Sequence, residues 1–321
     1  MHTLICPHKN LFSNYAKNEL SKKFKANFVN ISQDKFNKIF HKYEIILLRH
    51  AIQLKYKENT KIKYIISPTT GVNHIDKRYF KKKNIKIIIL RGELNFLKKI
   101  NSTAEHAIFL ILNLLRNNYI INKKNFFKKK IIDVNEIYNK KIGIIGYGRL
   151  GVKVDKILKA FGAITNIYDK HINKKHSISL KKVLQNSDIL TIHIPLNDNN
   201  KNFLNKRKIE LLKDNCIVIN TSRGEIVDQK QLIKHIKKRN IKYGSDVLCD
   251  ENDINSNSSS IELLKLMKKT KSVYITPHIG GLSKESIQLT DKFIIDKFKK
   301  FYEKTNRPLF INRAKAVNKI S

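Results

Sequence analysis

The chain has 321 residues, 41% of them hydrophobic, with only 11 glycines and 5 prolines. This length suits roughly two domains, and the composition excludes a disordered or collagen-like chain. Lysine and arginine number 65 against 26 aspartates and glutamates, but this net charge of +39 is spread along the whole chain and accompanies no nucleic-acid-binding motif, which argues against a specific nucleic-acid partner.

The first part of the chain alternates short apolar runs with segments of helical period. Strands are predicted at residues 3–6, 26–29, 44–48, 64–67 and 85–90, and helices at 13–24 and 34–41. Residues 102–117 are predicted to form one long apolar helix, for which Ser102 offers an N-terminal cap and Glu105 a carboxylate in the first turn. This alternation predicts an α/β fold with a parallel sheet.

A second alternating series follows a lysine-rich loop at residues 123–130. Its strands are predicted at residues 141–145, 164–168, 189–193, 216–220, 243–247 and 272–276. The polar, low-complexity residues 252–260 are interpreted as a surface loop, and a final helix at about 284–304 leads to a basic tail. Two α/β units therefore follow each other, and the final helix is free to return to the first.

The sequence lacks the features of membrane-spanning, secreted, disulfide-rich and zinc-binding proteins. No apolar stretch reaches the length of about 18 residues that a membrane-spanning helix needs. The N-terminus lacks the basic start and the apolar core of a secretory signal. The three cysteines (Cys6, Cys216 and Cys249) are widely separated and form neither a disulfide framework nor a zinc cluster. We therefore expect a cytoplasmic protein with no membrane partner and no bound metal.

A glycine-rich motif, GIIGYGRLG, occupies residues 143–151 between a predicted strand and a predicted helix. Gly146 suits a tight turn, Gly148 lets the backbone approach a pyrophosphate, and Gly151 lets the helix pack closely on the strand. Backbone amides at the helix start then face the phosphates of a dinucleotide. The residues of this turn predicted to contact the cofactor are Gly146, Tyr147, Gly148, Arg149, Leu150 and Gly151.

An acidic residue, Asp169, ends the next predicted strand. A carboxylate at this position accepts hydrogen bonds from both hydroxyls of the adenosine ribose and repels a 2′-phosphate, so the sequence favours NAD over NADP. Lys170 and His171 follow directly and leave NADP as the alternative.

Three further polar residues follow predicted strands in the second half of the chain: Arg223, Glu251 and His278. In parallel α/β sheets the ligand crevice lies at the carboxyl ends of the strands. The planar guanidinium of Arg223 suits a carboxylate and can polarise an adjacent carbonyl. A carboxylate such as Glu251 favours the protonated form of a neighbouring imidazole, so His278 could carry the proton that accompanies a hydride.

Taken together, these motifs make the chain similar to the D-isomer-specific 2-hydroxyacid dehydrogenases, and among them to the phosphoglycerate dehydrogenase-like branch. The resemblance extends from about residue 44 to residue 283. The blocks that carry it, in order, are SPTTGVNHID (67–76), STAEH (102–106), the glycine turn, LTIHIPL (190–196), NTSRG (220–224), DVLCDE (246–251) and TPHIGG (276–281). The family usually has proline after its catalytic glutamate, where this chain has Asn252.

The resemblance implies two flavodoxin/Rossmann-like domains with parallel sheets, which hold cofactor and substrate in the cleft between them. The substrate-binding domain would comprise residues 1–101 and 284–321, and the NAD-binding Rossmann domain residues 102–283. A homodimer built on the cofactor domain is also implied.

The resemblance also implies roles for single residues. Arg223 would hold the substrate carboxylate and polarise the carbonyl, His278 would be the general acid/base, and Glu251 would set the charge of His278. The other side of the carboxylate would bind the backbone amides of Thr70 and Gly71. Cofactor contacts outside the glycine turn would fall at Thr103, Asp169, His193, Pro195, Thr221 and Asp246, the last of which would hold the nicotinamide carboxamide.

The predicted function is the NAD-dependent interconversion of a D-2-hydroxy acid and its 2-oxo acid. The alternative is an NAD(H)-sensing, non-catalytic binding protein of the corepressor type, which shares the fold and these residues. Arg49 ends a predicted strand at a point where some family members bind the distal group of the substrate. Together with the lysine-rich surface, it favours a phosphorylated or multiply charged acid.

Overall fold

The computed structural model describes residues 1–116, 134–173, 177–249, 251 and 258–305. The described chain divides into two compact units, one made of Met1–Lys99 with Lys284–Thr305 and the other of Ile100–Ser283. The predicted loop at 123–130, Asn252 with the rest of 252–257, and the basic tail lie outside the described residues. Among the helices that the structure describes, none combines the length and the apolar character needed to span a bilayer.

In chain order, the strands of the described residues are β1 (Thr3–Cys6), β2 (Lys25–Phe28), β3 (Ile45–Leu47), β4 (Tyr64–Ser67), β5 (Lys86–Ile89), β6 (Lys141–Ile145), β7 (Ile164–Tyr168), β8 (Ile189–Ile192), β9 (Ile217–Asn220), β10 (Lys242–Ser245) and β11 (Val273–Ile275). The α-helices are α1 (Asn14–Lys23), α2 (Gln33–Ile39), α3 (Leu94–Leu97), α4 (Ser102–Leu115), α5 (Arg149–Ala160), α6 (Leu180–Asn186), α7 (Lys206–Glu210), α8 (Gln229–Arg239), α9 (Ser259–Lys269) and α10 (Lys284–Thr305).

The first unit is built on a parallel sheet with the strand order β2-β1-β3-β4-β5. This is the flavodoxin-like order, in which helices cover both faces of the sheet. The central strands β3 and β4 are accordingly short apolar runs with every residue buried. Ser13 and Ser32 directly precede α1 and α2 as N-cap residues, and each accepts a hydrogen bond on its side-chain oxygen from a backbone N–H of the first turn.

Helix α10 covers one face of this sheet. Its Ile294, Ile295 and Phe298 are fully buried, and the ring of Phe298 lies 5.4 Å from that of Tyr64 on β4. Burial of each such side chain contributes about 1.5–3 kcal/mol to the free energy of unfolding. The last described helix therefore belongs to the core of the first unit.

The second unit contains a parallel sheet with the strand order β11-β10-β9-β8-β6-β7. The chain order reverses beside β6, and such a reversal opens a crevice at the carboxyl ends of the neighbouring strands. Helix α4 packs across β9 and β10, where the side chains of Leu110 and Leu114 lie within about 3.4 Å of the position that a Cβ atom on Gly244 would take. The predicted fold class, two parallel-sheet α/β domains, is thus confirmed.

Two local predictions are wrong. The predicted surface loop 252–260 ends too late, because α9 begins at Ser259 and Ser260 is buried. Ser102 does not cap α4, because the helix begins at Ser102 itself and Asn101 is the flanking residue, without a side-chain cap bond. The hydroxyl of Ser102 instead donates a hydrogen bond to the carbonyl of Gly280 at 2.7 Å. The Ser102 hydroxyl therefore makes a tertiary contact to the segment after β11 and does not cap the helix in the way that the local sequence pattern indicates.

Candidate active site

The carboxyl ends of β9, β10 and β11 are neighbours in the second sheet, and each is followed by one of the predicted catalytic residues. Glu251 and His278 are in direct contact, with 2.7 Å between Oε2 of the carboxylate and Nδ1 of the imidazole. The other carboxylate oxygen of Glu251 accepts a hydrogen bond from the backbone N–H of Leu248 at 2.7 Å. The glutamate is therefore held at both oxygens, with one of them directed at the ring.

Arg223 lies in a turn that is fixed by its neighbours. Its carbonyl accepts a hydrogen bond from the side-chain amide of Asn220 at 2.8 Å, and its own guanidinium donates to the carbonyl of Ser222 at 2.6 Å. Gly224 is required here, because a Cβ atom at this position would lie 2.0 Å from the backbone of Leu248. The turn after β9 thus packs directly on the segment that leads to Glu251.

The charge of Arg223 is set by burial and by nearby acids. Burial lowers the pKa of its guanidinium, and attraction to Glu251, Glu225 and Asp246 opposes this shift. An arginine remains protonated at physiological pH under such conditions. The site therefore holds a partly buried cation close to the Glu251–His278 pair.

His278 itself has a left-handed backbone, with φ at +54°. Residues other than glycine rarely adopt this conformation, although histidine does so more often than most. The segment is held by Asp246, whose Oδ1 accepts a hydrogen bond from the N–H of Ile279 at 2.8 Å and whose Oδ2 accepts one from Gly280 at 2.7 Å. These two bonds fix the backbone directly after the imidazole.

Asp246 is only 3% exposed and receives further polar contacts. The hydroxyl of Thr276 donates to its Oδ1 at 2.6 Å, and the ring of His106 lies 2.8 Å from that hydroxyl and 3.4 Å from the carboxylate. Burial raises the pKa of Asp246, but the hydrogen bonds from His106, Thr276 and Gly280 outweigh it and hold the pKa below its usual value. Asp246 is therefore a buried carboxylate that organises the loop carrying His278.

His106 is a site residue that the sequence motifs do not predict. One signal was available, since Ser102 and His106 are four residues apart on α4 and so lie on the same face of the helix. Both side chains contact the segment that follows β11, Ser102 at the Gly280 carbonyl and His106 at Thr276.

The glycine turn after β6 has the geometry that a pyrophosphate needs. Gly146 has φ at +92°, and a Cβ atom there would lie 2.8 Å from the carbonyl of His193. A Cβ atom on Gly151 would lie 2.1 Å from the carbonyl of Gly146, so helix and turn touch at this point. At Gly148 nothing lies within 4 Å of the Cβ position, which leaves open space at the N-terminus of α5.

The remaining residues of the turn contribute in different ways. Arg149 begins α5, and burial lowers the pKa of its guanidinium. Leu150 packs against the core, and the hydroxyl of Tyr147 donates a hydrogen bond to Asp155 at 2.6 Å. The N-terminus of α5 faces the open space at Gly148, and the N-terminal end of a helix is a favourable place for an anion.

Asp169 follows β7, the strand next to β6. Its Oδ2 accepts a hydrogen bond from the backbone N–H of Tyr147 at 2.7 Å, and its Oδ1 accepts one from that of His171 at 2.7 Å. The carboxylate is therefore anchored beside the glycine turn, with acceptor capacity left on both oxygens. This arrangement fits the two hydroxyls of an adenosine ribose.

Two buried polar atoms at the neighbouring strand ends have no hydrogen-bond partner among the described residues, Nδ1 of His193 and Oγ1 of Thr221. The Nε2 atom of His193 contacts the hydroxyl of Thr191 at 2.9 Å, and burial lowers the pKa of the ring to about 4, so it is neutral at physiological pH. Pro195 is exposed and Thr103 is partly exposed. Open space, anchored carboxylate and unpartnered polar atoms together fit a bound dinucleotide.

The predicted substrate residues belong to the first unit. Thr70 is exposed and Gly71 partly exposed, in the loop after β4. Arg49 is different, because it is only 4% exposed and its guanidinium donates to Asp291 at 2.7 Å and to Thr290 at 3.0 Å. The prediction that Arg49 binds the distal group of a substrate is therefore wrong: a fully buried carboxylate already neutralises it, and it serves to attach α10.

Within the part of the chain that the structure describes, no group of His, Cys, Asp and Glu side chains could hold a metal ion. Cys6 and Cys216 are buried, and desolvation raises the pKa of each thiol to about 12. Neither thiol is therefore a nucleophile at neutral pH.

Comparison with known proteins gives a consistent result. Residues 106–280 match the sequence model of the D-isomer specific 2-hydroxyacid dehydrogenase, NAD binding domain. An erythronate-4-phosphate dehydrogenase from Wigglesworthia glossinidia brevipalpis is 32% identical over 263 residues, which cover 79% of this chain and 62% of that protein. An aromatic 2-oxoacid reductase from Clostridium sporogenes is 32% identical over 242 residues, or 70% of this chain and 71% of the relative.

Among solved structures, a D-lactate dehydrogenase from Aquifex aeolicus in complex with NAD and lactic acid superimposes with a TM-score of 0.77. It covers 94% of this chain and 96% of its own, at 24% sequence identity. At this identity the likeness establishes the fold. The matched sequence model and the named relatives favour the catalytic interpretation over the corepressor alternative.

Proposed function

The chain belongs to the family of D-isomer-specific 2-hydroxyacid dehydrogenases, and from this premise we propose that it interconverts a D-2-hydroxy acid and its 2-oxo acid with NAD. The observation that carries the proposal is the 2.7 Å contact between Glu251 and His278, beside the partly buried cation of Arg223. An acid/base pair next to a guanidinium is what the reduction of a 2-oxo acid requires.

The proposed steps follow from these groups. Arg223 binds the substrate carboxylate and polarises the neighbouring carbonyl, and the backbone amides of Thr70 and Gly71 are assigned to the same carboxylate. In the direction of reduction, His278 donates its proton to the carbonyl oxygen and becomes neutral. Glu251 holds Nδ1 of the imidazole at 2.7 Å, and the hydrogen bond that its other oxygen accepts from the N–H of Leu248 keeps the carboxylate in place. The hydride that reduces C2 of the substrate would come from NADH held in the second unit, and NAD would accept it in the opposite direction.

We assign the cofactor to NAD and to the second unit, and the substrate-binding role to the first unit. The anchored carboxylate of Asp169 supports this choice, since it accepts ribose hydroxyls and repels a 2′-phosphate. The residues proposed to contact the cofactor are Thr103, Gly146, Tyr147, Gly148, Arg149, Leu150, Gly151, Asp169, His193, Pro195, Thr221 and Asp246.

The proposed substrate class is a D-2-hydroxy acid with a phosphate at the far end. The relative from Wigglesworthia, named for erythronate 4-phosphate, supports this class, and the net charge of +39 steers anions toward the protein. Arg49 gives it no support, because that side chain is buried against Asp291. A phosphate-binding side chain would have to come from another residue.

We further propose a cytoplasmic homodimer formed through the second unit. Side chains that support an interface there are Phe109, Val152, Phe161 and Ile164, each exposed by more than two fifths. Light scattering of the eluted protein should give twice the chain mass of 37.5 kDa. A monomer at micromolar concentration would contradict this part of the proposal.

The catalytic proposal is tested with a His278→Ala variant. We expect it to lose nearly all turnover in stopped-flow assays while NADH still binds, because the imidazole serves proton transfer and not cofactor binding. Glu251→Gln should lower turnover by about a hundredfold, and the double variant should be no worse than His278→Ala alone. His235→Ala is a matched control on α8 and should keep full activity.

The substrate class is tested with pyruvate, glyoxylate, hydroxypyruvate and phosphohydroxypyruvate against NADH and NADPH, and with erythronate 4-phosphate against NAD. A preference for the phosphorylated acids supports the proposed class, whereas equal use of phosphohydroxypyruvate and pyruvate contradicts it. NADH binding without turnover of any of these acids would instead favour the non-catalytic, NAD(H)-sensing alternative.

A further inference from the structure

A chain of polar contacts lies beneath the loop after β4 in the first unit. The Nε2 atom of His74 is 3.0 Å from the hydroxyl of Ser67, which is 2.9 Å from the hydroxyl of Thr69. Thr69 in turn donates to the carbonyl of Gly71 at 2.8 Å. His74 is 3% exposed and Ser67 is fully buried, so water does not compete for these contacts.

The direction of each hydrogen bond in this series follows from the number of protons that each side chain can donate. A carbonyl only accepts, so the single hydroxyl proton of Thr69 is committed to Gly71. Ser67 must then donate its proton to the oxygen of Thr69, and His74 must donate from Nε2 to the oxygen of Ser67. His74 therefore carries a proton on Nε2, and the chain runs in one direction from the buried ring to the loop.

The peptide planes of the loop are fixed on both sides of Gly71. The carbonyl of Thr69 accepts a hydrogen bond from the N–H of Leu90 at 3.0 Å, which orients the peptide that contains the N–H of Thr70. The carbonyl of Gly71 is fixed by Thr69. The N–H of Gly71 belongs to the peptide group between these two fixed peptide groups, so this peptide group has little freedom to rotate.

The N–H groups of Thr70 and Gly71 are left for an external acceptor. No residue that the structure describes accepts a hydrogen bond from either of them. Two adjacent, oriented backbone donors bind a carboxylate well, because no reorganisation is needed when it arrives.

We propose that His74 is a positioning residue for the carboxylate of the substrate. It acts through Ser67 and Thr69 on the loop that presents the amides of Thr70 and Gly71. The inference rests on the proposed function and adds to it a residue that touches neither substrate nor cofactor.

The test compares His74→Phe with His74→Gln. Phenylalanine keeps a ring but removes the Nε2 donor, whereas the amide nitrogen of glutamine is the same number of bonds from Cβ as Nε2 of the imidazole and can still donate. The substrate is the acid among pyruvate, glyoxylate, hydroxypyruvate and phosphohydroxypyruvate that the wild type reduces with the highest kcat/KM. We expect His74→Phe to raise the KM for this acid roughly tenfold, with the Kd for NADH unchanged, as loss of about one buried hydrogen bond predicts. His74→Gln should restore most of the affinity.

A double-mutant cycle with Ser67→Ala tests the route. If His74 acts through Ser67, His74→Phe should have little further effect on KM once Ser67 is alanine. Ser67→Ala and His74→Gln also keep the test valid if His74→Phe does not fold. Tyr79→Phe is the matched control, since it removes a hydrogen bond from a buried side chain in the same unit, to the carbonyl of Lys55, and should leave KM unchanged.

The outcomes distinguish the positioning role of His74 from the proposed function of the protein. If the wild type turns over a 2-oxo acid and the KM values of the His74 and Ser67 variants equal that of the wild type, the positioning role is wrong and the proposed function stands. Additive effects in the cycle, or an equal change in the Kd for NADH, would also overturn it. A wild type that reduces none of the acids would remove the proposed function and, with it, this inference.

Discussion

Replacing Asp246 with asparagine should uncouple the loop of His278 from the sheet. The carboxylate accepts from Thr276 and Ile279 on one oxygen and from Gly280 on the other, at 2.6–2.8 Å. An asparagine of the same shape keeps one oxygen but places an NH₂ group against the N–H of Gly280. The variant loses one charge-assisted hydrogen bond, worth about 1.5–3 kcal/mol, and leaves a buried donor unpaired, so we expect a loss of about 2–5 kcal/mol in the free energy of unfolding.

The assay combines urea denaturation with steady-state kinetics on Asp246→Asn. Turnover should fall at least tenfold even where the variant is fully folded, because the left-handed backbone of His278 depends on the two residues that Asp246 holds. Asp188→Asn is the control, since Asp188 accepts hydrogen bonds from Lys141 and Lys213 at the amino ends of the strands of the same sheet and should affect stability alone. A folded Asp246→Asn enzyme with the turnover of the wild type would refute the reasoning.

The same variant has a defined dependence on pH. The pKa of Asp246 in the folded protein lies below its usual value of about 4, so its stabilisation is present above that pH and is lost as pH falls through the folded pKa. The stability difference between wild type and Asp246→Asn should therefore be full at neutral pH and shrink in acid.

Two further changes test other parts of the structure. Asp169→Ser should improve the use of NADPH relative to NADH at least tenfold, because it removes the charge that repels a 2′-phosphate and leaves Lys170 nearby; an unchanged ratio of kcat/KM values would contradict the assignment. Arg49→Met should lower the free energy of unfolding by about 3–5 kcal/mol, since it leaves Asp291 buried without its partner, and Arg49→Met/Asp291→Leu should recover part of the loss in urea denaturation. If Arg49→Met is as stable as the wild type, the Arg49–Asp291 ion pair does not contribute to the free energy of unfolding.

Local patterns predicted most of the fold because its elements are strongly periodic. The glycine turn and most of the buried strands were placed within one or two residues, as for 44–48, which is Ile45–Leu47 in the structure. The strand ends then brought Glu251 and His278 into contact, as the parallel arrangement implies. Such predictions succeed where one stretch of sequence and the handedness of the chain decide the outcome.

The errors concern side chains whose partners are distant in sequence. Arg49 pairs with Asp291, which belongs to the last helix, and Ser102 bonds to Gly280 near the end of the second unit. Neither partner could be derived from the pattern around the residue itself. A polar residue at the end of a predicted strand has the same local appearance whether it faces a ligand or a buried carboxylate, and only the fold separates the two cases.

The proposed contact of Asp246 with the cofactor would link the cofactor to the acid/base loop through one carboxylate. Among the described residues, Thr276 and Ile279 donate to its Oδ1, which also lies 3.4 Å from the ring of His106, whereas Gly280 donates to its Oδ2. Each carboxylate oxygen has two acceptor positions, so one remains on Oδ2. Because this oxygen also fixes the backbone after His278, a group bound there would act on the same peptide that sets the direction of the imidazole. Cofactor binding and the alignment of the proton donor would then be coupled through a single buried side chain.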